Sequence, residues 1–171
     1  MQRNSLRTTV VFVFAATLIA SMAATGQAVA GDPACSLARA AGSYGVSDSG
    51  TVVGIGPRVA VGLVTLDAAG NLTGTVTASL NGTVTESTAS GTYSVNPDCT
   101  GVANINEFDQ SGNLLLTATE TAVWDDNMRE LRLIFTSAKL PDGTSLAAVV
   151  SGNARKLVRG NAQEDRPVIG Q

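Results

Sequence analysis

From residue 57 to residue 157 apolar and polar side chains alternate in short runs rich in Val and Thr, and each run ends in a tight polar turn. The turns are Asp67-Ala68-Ala69-Gly70-Asn71, Asn81-Gly82, Asn96-Pro97-Asp98-Cys99-Thr100-Gly101, Gln110-Ser111-Gly112-Asn113, Asp125-Asp126-Asn127 and Pro141-Asp142-Gly143. Period-two alternation between turns of this chemistry predicts antiparallel strands. We place them near 41–46 and at 58–66, 71–79, 83–95, 101–108, 113–123, 128–137 and 145–157. Gly91 marks a bend or bulge within one long strand rather than its end. The Gly-rich stretch Ser47–Pro57 reads as the longest loop, and Cys35–Ala41 as a single helical turn.

Every link after residue 58 is short enough for a hairpin, so neighbours in sequence are expected to be neighbours in the sheet. Pairing the first strand with the last removes both free edges. The expected fold is therefore all-β, an eight-stranded antiparallel up-and-down barrel. Leu72, Gly74, Val76 and Ala78 share one face, as do Leu114, Leu116, Ala118 and Ala122; Leu131, Leu133 and Phe135; and Leu146, Ala148 and Val150. Threonines fill the opposite rows, where β-branched polar residues suit a wet pleated surface. The small inward residues either leave room in the lumen or let its walls close on each other.

The two ends of the chain add a compartment. Arg3 and Arg7, the apolar run Val10–Ala20 and Ala28-Val29-Ala30 form the three regions of an export signal, so residues 1–30 are expected to be removed near Ala30. The run is too short for a membrane span. One domain then covers 31–159, and 160–171 has little to bury and reads as a tail. Removal of 1–30 leaves nine basic against fourteen acidic residues, so the net charge moves from −3 to −5. No basic cluster remains to meet nucleic acid or an anionic membrane. The only cysteines, Cys35 and Cys99, are expected to pair in an oxidising space, and in an up-and-down barrel both fall at the same end.

A likeness rests on three segments. They are Gly91-Thr92-Tyr93-Ser94-Val95-Asn96-Pro97-Asp98-Cys99-Thr100-Gly101 after an Asn-Gly hairpin, the late string Ser151-Gly152-Asn153-Ala154-Arg155-Lys156, and the early Gly42-Ser43-Tyr44. In these the chain resembles uncharacterised small secreted bacterial β-barrel proteins over most of residues 35–157. The resemblance implies a calycin-like or allene-oxide-cyclase-like barrel. It carries over no catalytic residue.

Candidate chemistry is sparse. The chain has no histidine, which removes the commonest general base and metal ligand, and two cysteines complete no metal site. It has no nucleophile elbow, phosphate loop or dinucleotide fingerprint. No cofactor and no metal are expected. What stands out is acid in apolar rows. Glu120 shares parity with Leu114 through Ala122, and Glu107 with Ala103 and Ile105. Glu86 depends on the turn before it: a three-residue loop Leu80-Asn81-Gly82 sends Val84 and Glu86 inward, a two-residue Asn81-Gly82 loop sends them out. The former is favoured because Val84 then joins the apolar face. Arg129 shares parity with Leu131 and is a candidate counter-ion. Trp124, beside a turn, either floors a ligand mouth or plugs the barrel.

Such glutamates either anchor a ligand in the lumen or reach solvent at the rim; the rim is favoured, with Glu120 at the opposite end from Glu86 and Glu107. The expected function is that of a non-enzymatic exported barrel that binds a small apolar ligand or serves as an envelope interaction module. The alternatives are a structural or adhesive surface protein and a cofactor-free isomerase or cyclase.

Overall fold

The computed structural model describes residues 35–158. The expected export signal over 1–30 and the tail over 160–171 lie outside the described residues. One helical turn, α1 (Leu37–Ala40), opens the described chain, its first turn capped by the Ser36 hydroxyl, which accepts from the Arg39 backbone N–H at 3.4 Å. Eight strands follow: β1 (Gly42–Val52), β2 (Gly56–Leu66), β3 (Asn71–Leu80), β4 (Thr83–Val95), β5 (Thr100–Phe108), β6 (Leu114–Asp125), β7 (Glu130–Lys139) and β8 (Ala148–Lys156). Each pairs antiparallel with the next, and β1 pairs with β8 from Tyr44↔Lys156 to Val52↔Ala148, which closes the barrel.

Three local expectations are corrected. First, β1 runs to Val52, so Ser47–Val52 is strand and the loop shrinks to residues 53–55. Ser, Gly and Thr in alternation look like loop, but here the backbone is paired on both sides. Gly50 is needed for that approach, because a Cβ there would overlap the Val149 carbonyl of β8. Second, the longest link is 140–147, and β8 begins at Ala148 rather than 145; Ser145 makes only an isolated bridge with Lys139.

Third, the β3–β4 hairpin has a two-residue loop. Leu80 pairs with Thr83, and Asn81 and Gly82 both have positive φ, 49° and 88°. An Asn-Gly pair with left-handed backbone fits the right-handed twist of its strands. The three-residue alternative gains Val84 but would turn Ala89 and Tyr93, both 6 % exposed, out of the core. Val84 is accordingly 66 % exposed. Gly91 lies within an unbroken β4, and the register shifts occur instead at Glu107/Phe108 and Thr119/Glu120.

The core gathers at one end of the barrel. The β2–β3, β4–β5 and β6–β7 turns meet there, and α1 lies across them with Ala40, Tyr44, Leu66, Leu72, Tyr93, Trp124, Met128 and Ala154 buried together. The Cys35–Cys99 disulfide, with Cα atoms 5.1 Å apart, ties α1 to the β4–β5 turn. Tyr44 Oη donates to the Ala40 carbonyl at 2.7 Å, Lys156 Nζ to the Arg39 carbonyl at 2.8 Å, and the Arg39 guanidinium to Asn127 Oδ1. These bonds take up carbonyls and side chains that a single helical turn leaves open. The end is plugged.

Candidate functional site

Above the plug the inward rows enclose a cavity. Its wall is mainly Val46, Val64, Val76, Ile105, Leu131, Leu133 and Phe135, with Ala89, Ala103, Ala122 and Ala154 as small positions. The free space amounts to about 70 Å³ for the centre of a water-sized sphere, room for several waters or a small organic molecule. Tyr44, Tyr93 and Trp124 line its plugged end. The Tyr93 and Trp124 rings sit 6.4 Å apart and tilted by 42°.

Both tyrosines are held as neutral phenols. Tyr93 Oη donates to the Asp67 carbonyl at 2.6 Å, and burial first, then the nearby Tyr44 and Asp67 charges, push its pKa to about 12. Burial also raises Tyr44, although the neighbouring Trp124 indole pulls the other way. Trp124 Nε1 itself is buried without a hydrogen-bond acceptor in bonding geometry.

Toward the opposite end lies a charged layer. Asp48 of β1, Glu107 of β5 and Glu120 of β6 all line the cavity. Arg58, 6 % exposed at the start of β2, pairs with Asp48 and stands 3.9 Å from Glu107 through Nη2. Its guanidinium carbon lies over the Phe135 ring, 5.3 Å from its centre, within cation–π range. Ser87 Oγ donates to Glu107 Oε2 at 3.4 Å. Burial lowers the Arg58 pKa, and the charges of Glu107 and Glu120 oppose that shift.

Glu120 differs from its neighbours. Burial, and then the Glu107 charge, raise its pKa from 4.5 to about 7, with Arg58 pulling it down. A carboxyl so placed exchanges a proton near neutrality, because its ionised form is poorly solvated.

The expected site residues divide accordingly. Glu107, Glu120 and Trp124 line one cavity. Glu86 does not: the two-residue hairpin turns it to the outer face, where it is exposed. Arg129 is also exposed, in the β6–β7 link, and Arg58 takes the counter-ion place expected of it. Glu107 and Glu120, expected at opposite ends, feel each other's charge across the same lumen. Strands in a closed barrel tilt and stagger, so distance along the sequence is a poor guide to height in the lumen. Arg58 shares parity with Ala60, Val64 and Leu66, a signal present in the sequence; Asp48 carries none, because Ser47–Val52 reads as loop.

No family model matches the chain, and no curated protein matches it. Among solved structures it is similar to the barrel EF1p2_mFAP2b bound to DFHBI, at 12 % identity and a TM-score of 0.50, over 71 % of this chain and 100 % of that one. It is also similar to the redesigned β-barrel mFAP1 bound to DFHBI, at 15 % identity and TM-score 0.46, over 70 % of this chain and 99 % of that one. A third is the S-type phycobiliprotein lyase CPES from Guillardia theta, at 9 % identity and TM-score 0.44, over 72 % and 91 %. At these identities the likeness is one of fold: a barrel.

Proposed function

We propose that this is an exported, non-enzymatic barrel that holds a small, mostly apolar molecule in its lumen. The observation that carries this is the cavity itself, closed at one end by α1 and lined by apolar side chains beside a few convergent polar groups. Ligand sites commonly combine those two features. The barrel EF1p2_mFAP2b, similar in fold, was solved with DFHBI bound, which is compatible with the proposal. Export is supported by the basic, apolar and small-residue regions of 1–30 and by the disulfide, which belongs in an oxidising space. N-terminal sequencing of the mature protein is expected to begin at Gly31.

Native mass spectrometry of the protein taken from its own cells tests the binding. The folded protein is expected to carry added mass that denaturation releases. A bare polypeptide mass, together with unmoved Ala103 and Ala122 methyl signals when small neutral alcohols are added, would count against a ligand-holding lumen.

A second proposal draws on the outer wall. Val59, Val61 and Leu63 of β2 are 55 %, 61 % and 48 % exposed between uncharged neighbours on β1 and β3, which suits surface association. Sedimentation at high concentration separates the two: a strict monomer speaks against the surface role.

A further inference from the structure

The lumen holds more acid than base. Asp48, Glu107 and Glu120 face the cavity, while Arg58 is the one cation among the described residues that ion-pairs with this layer. Arg58 is committed to Asp48 and Glu107, and Glu107 also accepts from Ser87. Glu120 makes no hydrogen bond and no ion pair within 4.0 Å among the described residues. Burying a carboxylate without a close partner is costly, and a cation from outside relieves that cost.

The other end of the same cavity is aromatic. Trp124 is 4 % exposed there, its indole close enough to the Tyr44 phenol to oppose the rise that burial gives that phenol's pKa. On β6, Glu120, Ala122 and Trp124 are successive inward positions, so Glu120 and Trp124 lie about 13 Å apart along the strand. The floor between them is small: Ala122, with Ala103 directly opposite Glu120. The carboxyl without a close partner thus stands at one end of a stretch that has space above it, and the aromatic rings stand at the other.

Building on the ligand-holding lumen proposed above, we infer that its occupant is a small organic cation. An ammonium group faces Glu120, and a short apolar body lies over Ala122 toward the aromatic end. Charge-assisted hydrogen bonds of this kind are about twice as strong as neutral ones. Glu120 must be ionised to make one, and the groups facing it are Glu107, which resists its ionisation, and Arg58, which favours it, with Asp48 held by Arg58. Binding therefore strengthens as pH rises from 6 to 8, while an aliphatic amine stays charged throughout.

The test uses the mature protein with three matched probes, isobutylammonium, isobutanol and isobutyrate, followed through the Ala103 and Ala122 methyl signals by NMR titration. Isobutylammonium is expected to bind about tenfold more tightly than isobutanol at pH 8, with isobutyrate weakest, as the charge-assisted contact implies. Glu120→Gln is expected to erase that preference while leaving isobutanol binding unchanged. If isobutanol binds as tightly as the amine, or if Glu120→Gln leaves the preference intact, the cation assignment is overturned and the lumen still stands as a binding site. If none of the three binds, both fall together.

Discussion

Removing the ionisable group at Glu120 should change how stability depends on pH. The folded pKa is about 7, against 4.5 for the ordinary side chain, because burial and the Glu107 charge disfavour the carboxylate. Below pH 4.5 the group is protonated in both states and contributes nothing to the difference. Between 4.5 and 7 the folded protein holds a proton that the unfolded chain has released, so stability falls as pH rises through that window. A gap of this size at 1.36 kcal/mol per unit amounts to about 3 kcal/mol, fully expressed above pH 7. Glu120→Gln keeps the shape and abolishes the titration. Urea unfolding of both proteins from pH 4 to 8.5 should give equal stability at pH 4 and a variant more stable by up to about 3 kcal/mol at pH 8. Carboxyls remote from Glu120 are shared and cancel in the difference; Glu107, whose charge acts on it, does not. Parallel stability curves for the two proteins would refute a half-buried Glu120 facing Glu107.

Three further outcomes follow from particular contacts. Arg58→Met leaves Asp48 and Glu107 without their cation and should cost about 3–5 kcal/mol in urea unfolding, the usual cost of breaking a buried pair; in the same variant the Glu120 carboxyl, observed by NMR, should titrate higher than in the parent, since Arg58 now lowers it. Replacing Cys35 and Cys99 together by serine opens a loop of 64 residues and should lower stability by up to about 4 kcal/mol in the same assay. The Asp109 carboxyl is held below its ordinary pKa chiefly by the Asn113 side-chain amide at 2.9 Å and the Asn113 backbone N–H at 2.8 Å. Its stabilising effect is present above the unfolded pKa and is lost as pH falls through the folded one. Asp109→Ala should flatten that acid arm of the urea-midpoint curve.

The barrel was legible because its information is local and repeated. Alternation fixed the inward rows of β3, β6 and β7, and turns such as Asp67-Ala68-Ala69-Gly70-Asn71 fixed where strands reverse; Asp67 there bonds the Ala69 and Asn71 N–H groups. Placing Cys35 and Cys99 at one end depended only on counting strands. What was lost concerns pairings between distant segments. Whether Ser47–Val52 is loop or strand depends on β8, about a hundred residues away, coming alongside. The orientation of Glu86 hinges on one turn, and burying Ala89 and Tyr93 further along the same strand outweighs burying Val84. The charged layer was half legible: parity finds Glu107 and Glu120, whereas Arg58 is the first residue of its expected strand, just after Pro57. Which carboxyl lacks a close partner is a matter of distances across the lumen, and no pattern along one strand encodes those.

The seam between β1 and β8 joins Tyr44 to Lys156. Until the last strand arrives, the growing sheet has two raw borders, each with unpaired backbone groups able to recruit another chain. A polypeptide delivered N-terminus first therefore cannot finish folding until its final described strand has emerged. Seven of the eight strands can be in place and the ring is still an open ribbon, so loss of β8 would convert a self-contained molecule into one that sticks to its own kind.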